Sequence, residues 1–193
     1  IRSEGHVLWT DEPVPNSLVT ADETVPVQLV EALGERKLVF PIPLAAQGSV
    51  VVGDFSDVPV AHIGRLKARN RRIENSEWSV RFDNHGNISS VMSLEDSSEF
   101  IEPGRLANVF QLFDDQPLFW SAWDIDVFAY ETGQDLLRSE SFEVVERGPV
   151  RVAVELVKTF GQSRIVQRIS LGPTPGIRFD TEIDWHETDK LLK

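Results

Sequence analysis

No cysteine occurs in the 193 residues. Disulfide frameworks, thiolate zinc sites and cysteine nucleophiles are therefore excluded. Histidine is scarce as well, with His6, His62, His85 and His186 far apart in the chain. No pair has the spacing of a helix-borne zinc site, and there is no HExxH motif. GxSxG, P-loop and GxGxxG motifs are also lacking, so nothing supports serine-nucleophile or nucleotide chemistry. Basic residues are outnumbered, with 19 Lys and Arg against 31 Asp and Glu and a net charge of −12. That balance argues against nucleic acid, whose binding displaces counterions with a basic surface, and against an anionic membrane surface. No run of 18 apolar residues exists, so no helical membrane span is expected. Helical periodicity is rare along the chain.

The recurring pattern is period-two alternation bounded by Gly, Pro, Asn and Asp, which predicts antiparallel strands. Gly5 to Trp9, Val25 to Glu31, Arg36 to Pro41 and Ser49 to Phe55 read as strands of a small β-sandwich. Pro41 and Pro43 confine the third join to a loop or sheet edge. His62, Arg65, Lys67, Arg69, Arg71 and Arg72 then form a basic run in which Leu66, Ala68 and Asn70 alternate. Such a run can be an anion or nucleic-acid patch. On so acidic a chain it reads as a solvated strand face or a connector, and the domain boundary is placed at residues 64 and 65.

Trp78, Val80 and Phe82 alternate with Glu77, Ser79 and Arg81 before the turn Asp83-Asn84-His85-Gly86-Asn87. Gly and Asn can take positive φ there, so a hairpin is predicted with Ile88, Val91 and Leu94 on the return strand. His85 sits at its tip as an exposed turn residue. Further on, Arg138 to Glu146, Val150 to Phe160, Arg164 to Leu171 and Ile177 to Trp185 read as long strands joined by tight turns. The last alternates a dry face (Ile177, Phe179, Ile183, Trp185) with a charged one. His186 and Glu187 close it as a strand-end polar cluster.

Between these lies Asn108 to Tyr130, NVFQLFDDQPLFWSAWDIDVFAY, with Trp120, Trp123 and four aspartates. Aromatic rings beside carboxylates suit a sugar site, and they equally suit a turn in a large β-domain. Val109 to Phe113 reads as one strand and Trp123 to Tyr130 as another. On that second strand Asp124 and Asp126 share one face, while Trp123, Ile125 and Val127 point to the core. Asp114 and Asp115 fall in the turn before Pro117. Glycoside hydrolysis needs two carboxyl groups about 5–9.5 Å apart, a distance that only tertiary structure fixes.

These residues resemble a known family. LFDDQPLFWSAWDIDVF is similar to the N-x-L-Q-L-F-E-D-x-P-x-x-W-D-A-W-D-I-D segment of glycoside hydrolase family 38 α-mannosidases of the bacterial and cytosolic type. Asn108, Gln111, Leu112, Phe113, Asp115, Pro117, Trp120, Ala122, Trp123, Asp124, Ile125 and Asp126 stand in the matching places. IENSEWSVRFDNHGNISSV resembles the family's I-E-N-E-x-L-x-V-x-F-D-x-x-G-x-I-x-S-L hairpin, and DWHETDKLLK its W-x-E-x-H-K-L-L-K. Ser121 replaces the usual aspartate of the central motif, and Asp189 stands where a histidine is usual.

The resemblance implies an all-β chain: a small β-sandwich over 1–64, then over 65–193 the first part of a large antiparallel supersandwich of the galactose-mutarotase type. The chain opens without methionine and closes at HETDKLLK, and is expected to be a piece of a longer protein. The whole enzyme implied is a retaining, zinc-dependent, cytoplasmic α-mannosidase. Its zinc ligands and aspartate nucleophile would lie in an N-terminal barrel outside this chain. No residue here is expected to be catalytic or to bind zinc, and the chain alone is expected to be inactive. The resemblance assigns Trp120, Trp123, Asp124 and Asp126 to the substrate, a mannose-containing glycan, and makes the catalytic domain a packing partner. A free-standing carbohydrate-binding β-sandwich and a purely structural module are the alternatives. Exposed sheet edges predict self-association.

Overall fold

A computed structural model describes residues 2–10, 12–20, 23–32, 34–43, 52–60, 64–120 and 123–193. The chain is all-β. Six strands come first: β1 (Arg2–Leu8), β2 (Ser17–Thr20), β3 (Thr24–Pro26), β4 (Gln28–Ala32), β5 (Glu35–Pro43) and β6 (Val52–Ser56). They form two antiparallel sheets, ordered β1-β5-β4 and β3-β2-β6. Leu18 and Val25 from one sheet meet Leu38 and Phe40 from the other in a shared core, which makes a sandwich.

The strand expected over Val25 to Glu31 is two strands. The chain leaves one sheet at Pro26, which has no N–H to extend a ladder, and joins the other at Gln28. Val27 marks the corner, its N–H donating to the Asn16 carbonyl at 3.1 Å. β2 has no counterpart among the strands read from the sequence. Of the strand expected over Ser49 to Phe55, residues 49–51 lie outside the described residues, as does His62 of the basic run.

The second group begins with β7 (Lys67–Arg69), β8 (Arg72–Glu74), β9 (Trp78–Phe82) and β10 (Ile88–Ser93), which form one sheet in meander order. β11 (Gln111–Asp114), β12 (Gln134–Asp135) and β17 (Lys190–Leu192) form a small sheet with β11 in the middle. The meander β13 (Ser141–Arg147), β14 (Val152–Phe160), β15 (Ser163–Leu171) and β16 (Arg178–Asp184) makes the longest sheet. Ile73, Val80, Phe82, Ile88 and Val91 pack against Val152, Val154, Leu156, Ile169 and Leu171, so the two four-stranded sheets lie face to face. The rows on β9, β14 and β15 follow period-two parity, and on β10 a register shift between Ile88 and Ser90 lets both Ile88 and Val91 face the core.

The strand expected from Trp123 to Tyr130 does not form. Its place is taken by an irregular loop and a 3-10 helix, Val127–Thr132. Asp126 caps that helix, its side chain accepting from the Phe128 N–H at 3.1 Å. A capping aspartate offers the backbone a local partner in place of a strand ladder. The shared face expected for Asp124 and Asp126 therefore does not exist, and Trp123, Ile125 and Val127 are not core: Trp123 is 89% exposed. On β16 the alternation holds, but its dry face is not fully covered: Phe179, Ile183 and Trp185 remain exposed at an edge strand.

The first sandwich is joined to the long sheet through buried ions. Arg151 pairs with Glu146 at 2.6 Å and with Glu4 at 2.9 Å, and Arg168 pairs with Glu146 at 3.0 Å and Glu155 at 2.7 Å. The Arg168 guanidinium also donates to the Glu31 carbonyl at 2.9 Å. Val30 and Val39 pack on Val150 beside this network. Burial opposes the charge of Arg151, but the hydrogen bond and charge of Glu146, with Glu4 and Asp180, hold its pKa above the ordinary guanidinium value.

Candidate functional site

The loop over 115–132 is stitched down at its base and open at its tip. On the entry side, β11 is flanked by β12 and β17, with Leu112 opposite both Gln134 and Leu192. Phe113 is buried, and the Tyr130 ring stands edge-on to it at 5.7 Å. The Asp114 N–H donates to Thr132 Oγ1 at 2.8 Å, and that hydroxyl donates to the Ala129 carbonyl at 2.7 Å. Asp114 also pairs with Lys190, and the Asp115 N–H donates to the Asp189 carbonyl at 2.9 Å. Asp114 thus holds the loop to β17 through its carboxylate, and Asp115 only through its backbone N–H, its Oδ1 being buried without a hydrogen-bond partner among the described residues.

At the tip, Trp120 takes a left-handed φ of 61°. Its carbonyl accepts from the N–H groups of Trp123 and Asp124 at 2.9 and 3.0 Å, closing a tight turn. Ser121, with its departure from the family motif, and Ala122 lie outside the described residues. The turn throws the aromatic side chains outward. Trp120 is 77% exposed, and Leu118, Phe119, Val127 and Phe128 around it are exposed as well. These side chains therefore form an exposed apolar surface on one loop and are no part of the core. Asp124 is exposed beside these rings and free to accept hydroxyl hydrogen bonds, whereas Asp126 is half-buried and committed to its cap. The four residues singled out from the sequence therefore share one loop, with Trp120, Trp123 and Asp124 facing outward and Asp126 shaping it.

Glu187 has a structural task. Its carboxylate accepts from the Gln162 N–H at 2.7 Å and from Ser163 Oγ at 3.0 Å, and these bonds hold its pKa below the usual carboxylate value. It thereby closes the turn between β14 and β15. His186 reaches Asp184 at 2.9 Å through Nε2, and His85 is exposed at its turn as expected.

Sequence reasoning missed Lys158. Its amine is buried in the sheet and donates to the Leu136 carbonyl at 2.8 Å, the Leu137 carbonyl at 3.3 Å and Asn87 Oδ1 at 3.1 Å. Those carbonyls follow β12, so Lys158 anchors the chain where it leaves the loop. Its signal was present: Val152, Val154, Leu156 and Lys158 occupy one alternating row, and a lysine on a dry row needs buried partners. Gln28, Glu146, Arg151 and Arg168 left no such local signal.

Among the described residues no group of three or more His, Asp or Glu is placed to hold a metal ion. Among them, too, no helix is long and apolar enough to cross a membrane.

Residues 73–193 match the glycosyl hydrolases family 38 C-terminal domain, a stretch that contains the whole exposed loop. The chain belongs to glycosyl hydrolase family 38. Within the family it is 36% identical over 124 residues to alpha-mannosidase 2C1 of Mus musculus and 35% identical over 124 residues to that of Homo sapiens. It is 30% identical over 128 residues to alpha-mannosidase G of Dictyostelium discoideum. Each alignment covers 63% of this chain and 12% of the relative. The chain thus spans a small part of the length of the family 38 proteins it matches.

Proposed function

We propose that this chain is the non-catalytic C-terminal β-region of a retaining, zinc-dependent α-mannosidase that hydrolyses terminal α-mannosides. In this reading residues 1–64 are a small sandwich domain and 65–193 open a supersandwich. The catalytic barrel, its zinc ligands and its nucleophile belong to other parts of the whole protein. The loop over 115–132 docks against that barrel and lines the sugar site, with Trp120 and Trp123 stacking on C–H faces and Asp124 accepting hydroxyl hydrogen bonds. Asp126 contributes by capping the helix behind them. The reading includes a cytoplasmic setting, in line with the likeness to the bacterial and cytosolic type.

The observation that carries it is the outward placement of Trp120 and Trp123 on a loop whose base is fixed by β11, β12 and β17. Two tryptophans left this open on a built loop need an occupant. The test uses the full-length enzyme. Trp120→Ala, Trp123→Ala and Asp124→Ala should each weaken mannoside turnover while leaving the thermal midpoint in place. Normal turnover in all three sinks the site assignment. The chain by itself should neither cleave mannosides nor hold them tightly; firm mannoside binding by the chain alone would turn the reading toward a carbohydrate-binding module. The reading also holds that the isolated chain self-associates, because β16 leaves an edge and an apolar face open. A strictly monomeric sedimentation profile would overturn that part.

A further inference from the structure

The basic run acquires in three dimensions a geometry that its sequence does not show. β7, β8 and β9 pair so that Arg69 lies opposite Arg72 and Arg72 opposite Arg81. Residues directly opposite on neighbouring antiparallel strands point to the same side, and like charges so placed repel. Ala68, Ile73 and Val80 take the core side, so the three arginines form one row on the outer face. Lys67 lies on the same face, opposite Glu74.

Little in the described structure neutralises this row. Among the described residues Glu74 is the one carboxylate ion-paired to these cations. It pairs with Arg72, and its second oxygen stands 3.9 Å from Lys67 Nζ. Arg72 Nε also donates to Ser79 Oγ at 3.2 Å. Arg65, Arg69 and Arg81 are exposed and have no ion-pair partner among the described residues. Arg65, Lys67, Arg69, Arg72 and Glu74 line one pocket of about 330 Å³, with Asn75 beneath. Four cations and one carboxylate give this pocket a local charge of +3 on a chain whose net charge is −12.

We propose that this pocket is an oxyanion site for a phosphate group, either free or as the monoester of a small polar molecule. Planar guanidinium groups match the oxygens of a tetrahedral phosphate in pairs, and charge-assisted bonds of this type are the strong ones. The volume is at the small end of ligand pockets and suits a phosphate with a compact body. The bound anion would relieve the cross-strand repulsion between Arg69 and Arg72. The site lies on the outer face of the β7–β10 sheet and is independent of the aromatic loop.

The experiment is calorimetric titration of the intact protein with inorganic phosphate, against sodium chloride at equal ionic strength. One saturable phosphate site is expected, with a rise in thermal midpoint that chloride does not produce. The double variant Arg65→Ala/Arg69→Ala should weaken binding by about tenfold or more, since each removes a charge-assisted contact. Its midpoint in chloride alone should not fall below the parent's, because both side chains are exposed and unpaired and the loss of Arg69 removes a repulsion. A hexose monophosphate then separates the two sources: tighter binding than inorganic phosphate assigns the pocket to the ester, equal binding to the free anion. Identical responses to phosphate and chloride, or phosphate binding unchanged in the double variant, would overturn the proposal. Mannoside turnover plays no part in the readout, so this result is independent of the proposed enzymatic role.

Discussion

Gln28 Nε2 donates to Glu146 Oε2 at 3.0 Å, across 118 residues of sequence. The amide oxygen of the same side chain accepts from the N–H groups of Val150 and Arg151, each at 2.8 Å. One neutral side chain on β4 thus orders the turn after β13 and helps hold the carboxylate on which Arg151 and Arg168 converge. The first sandwich is therefore fastened to the long sheet by a polar core rather than by a broad apolar face.

Removing Glu146 should be among the most damaging single changes in the chain. Glu146→Ala leaves Arg151 and Arg168 buried with their shared partner gone, a situation that typically costs about 3–5 kcal/mol. Gln28→Ala removes neutral bonds only and should cost less, about 1–3 kcal/mol. Denaturant midpoints of the two variants against the parent check the order. A milder effect for Glu146→Ala than for Gln28→Ala would contradict the network as described.

Lys158 predicts a pH dependence with a definite sign. Burial pushes its amine below the ordinary value of 10.5, with the charge of Asp83 opposing only in part. The folded chain therefore gives up this proton at a lower pH than the unfolded chain. Below the depressed folded value the cost of burying the charge is fully present. As pH rises from there toward 10.5 the unfolded state binds more protons, and the folded state gains stability. Lys158→Met lacks this titration and leaves the Leu136 carbonyl and Asn87 Oδ1 short of a donor. The parent should thus become more stable relative to Lys158→Met as pH is raised from about 7 toward about 10. A stability difference that is flat or falls with pH would refute the assignment.

Gly86 tests the hairpin turn. Its φ is +80°, and a Cβ there would lie 2.7 Å from Phe142 Cδ2 and 3.1 Å from Leu156 Cδ2. Gly34 has a similar φ of +74° with nothing within 4 Å. Gly34→Ala should show the backbone strain alone, about 1–2 kcal/mol. Gly86→Ala adds overpacking against β13 and β14, for a further 1–3 kcal/mol or so. Thermal melts of both variants measure the difference, and equal losses would mean that the sheet yields freely at this point.

Much of the fold was legible because its causes are local. Trp78, Val80 and Phe82 alternate, and Asp83 to Asn87 carries the residues that tolerate a reversed backbone, so β9, the turn and β10 follow from short-range rules. The same holds for β13 to β15, where Gly148 and Gly161 punctuate long alternating runs. The loop was read half correctly. Trp120, Trp123, Asp124 and Asp126 do occupy one feature, but alternation alone suggested a strand over 123–130. A strand needs a neighbour to pair with, and none is offered there among the described residues, while Asp126 supplies a cap that favours a helical turn.

By itself the sequence determined an all-β chain, the positions of most turns, the exclusion of cysteine chemistry and the family motif around Trp120 and Asp126. These depend on residue type and spacing within a few positions. Tertiary structure alone decided that Trp123 faces outward, that Lys158 is buried, that Glu146 collects two arginines, and that Arg69, Arg72 and Arg81 line up across three strands. Each of these is set by which strands become neighbours and in what register. Partners brought together from distant parts of the chain leave no local period in the sequence that could announce them.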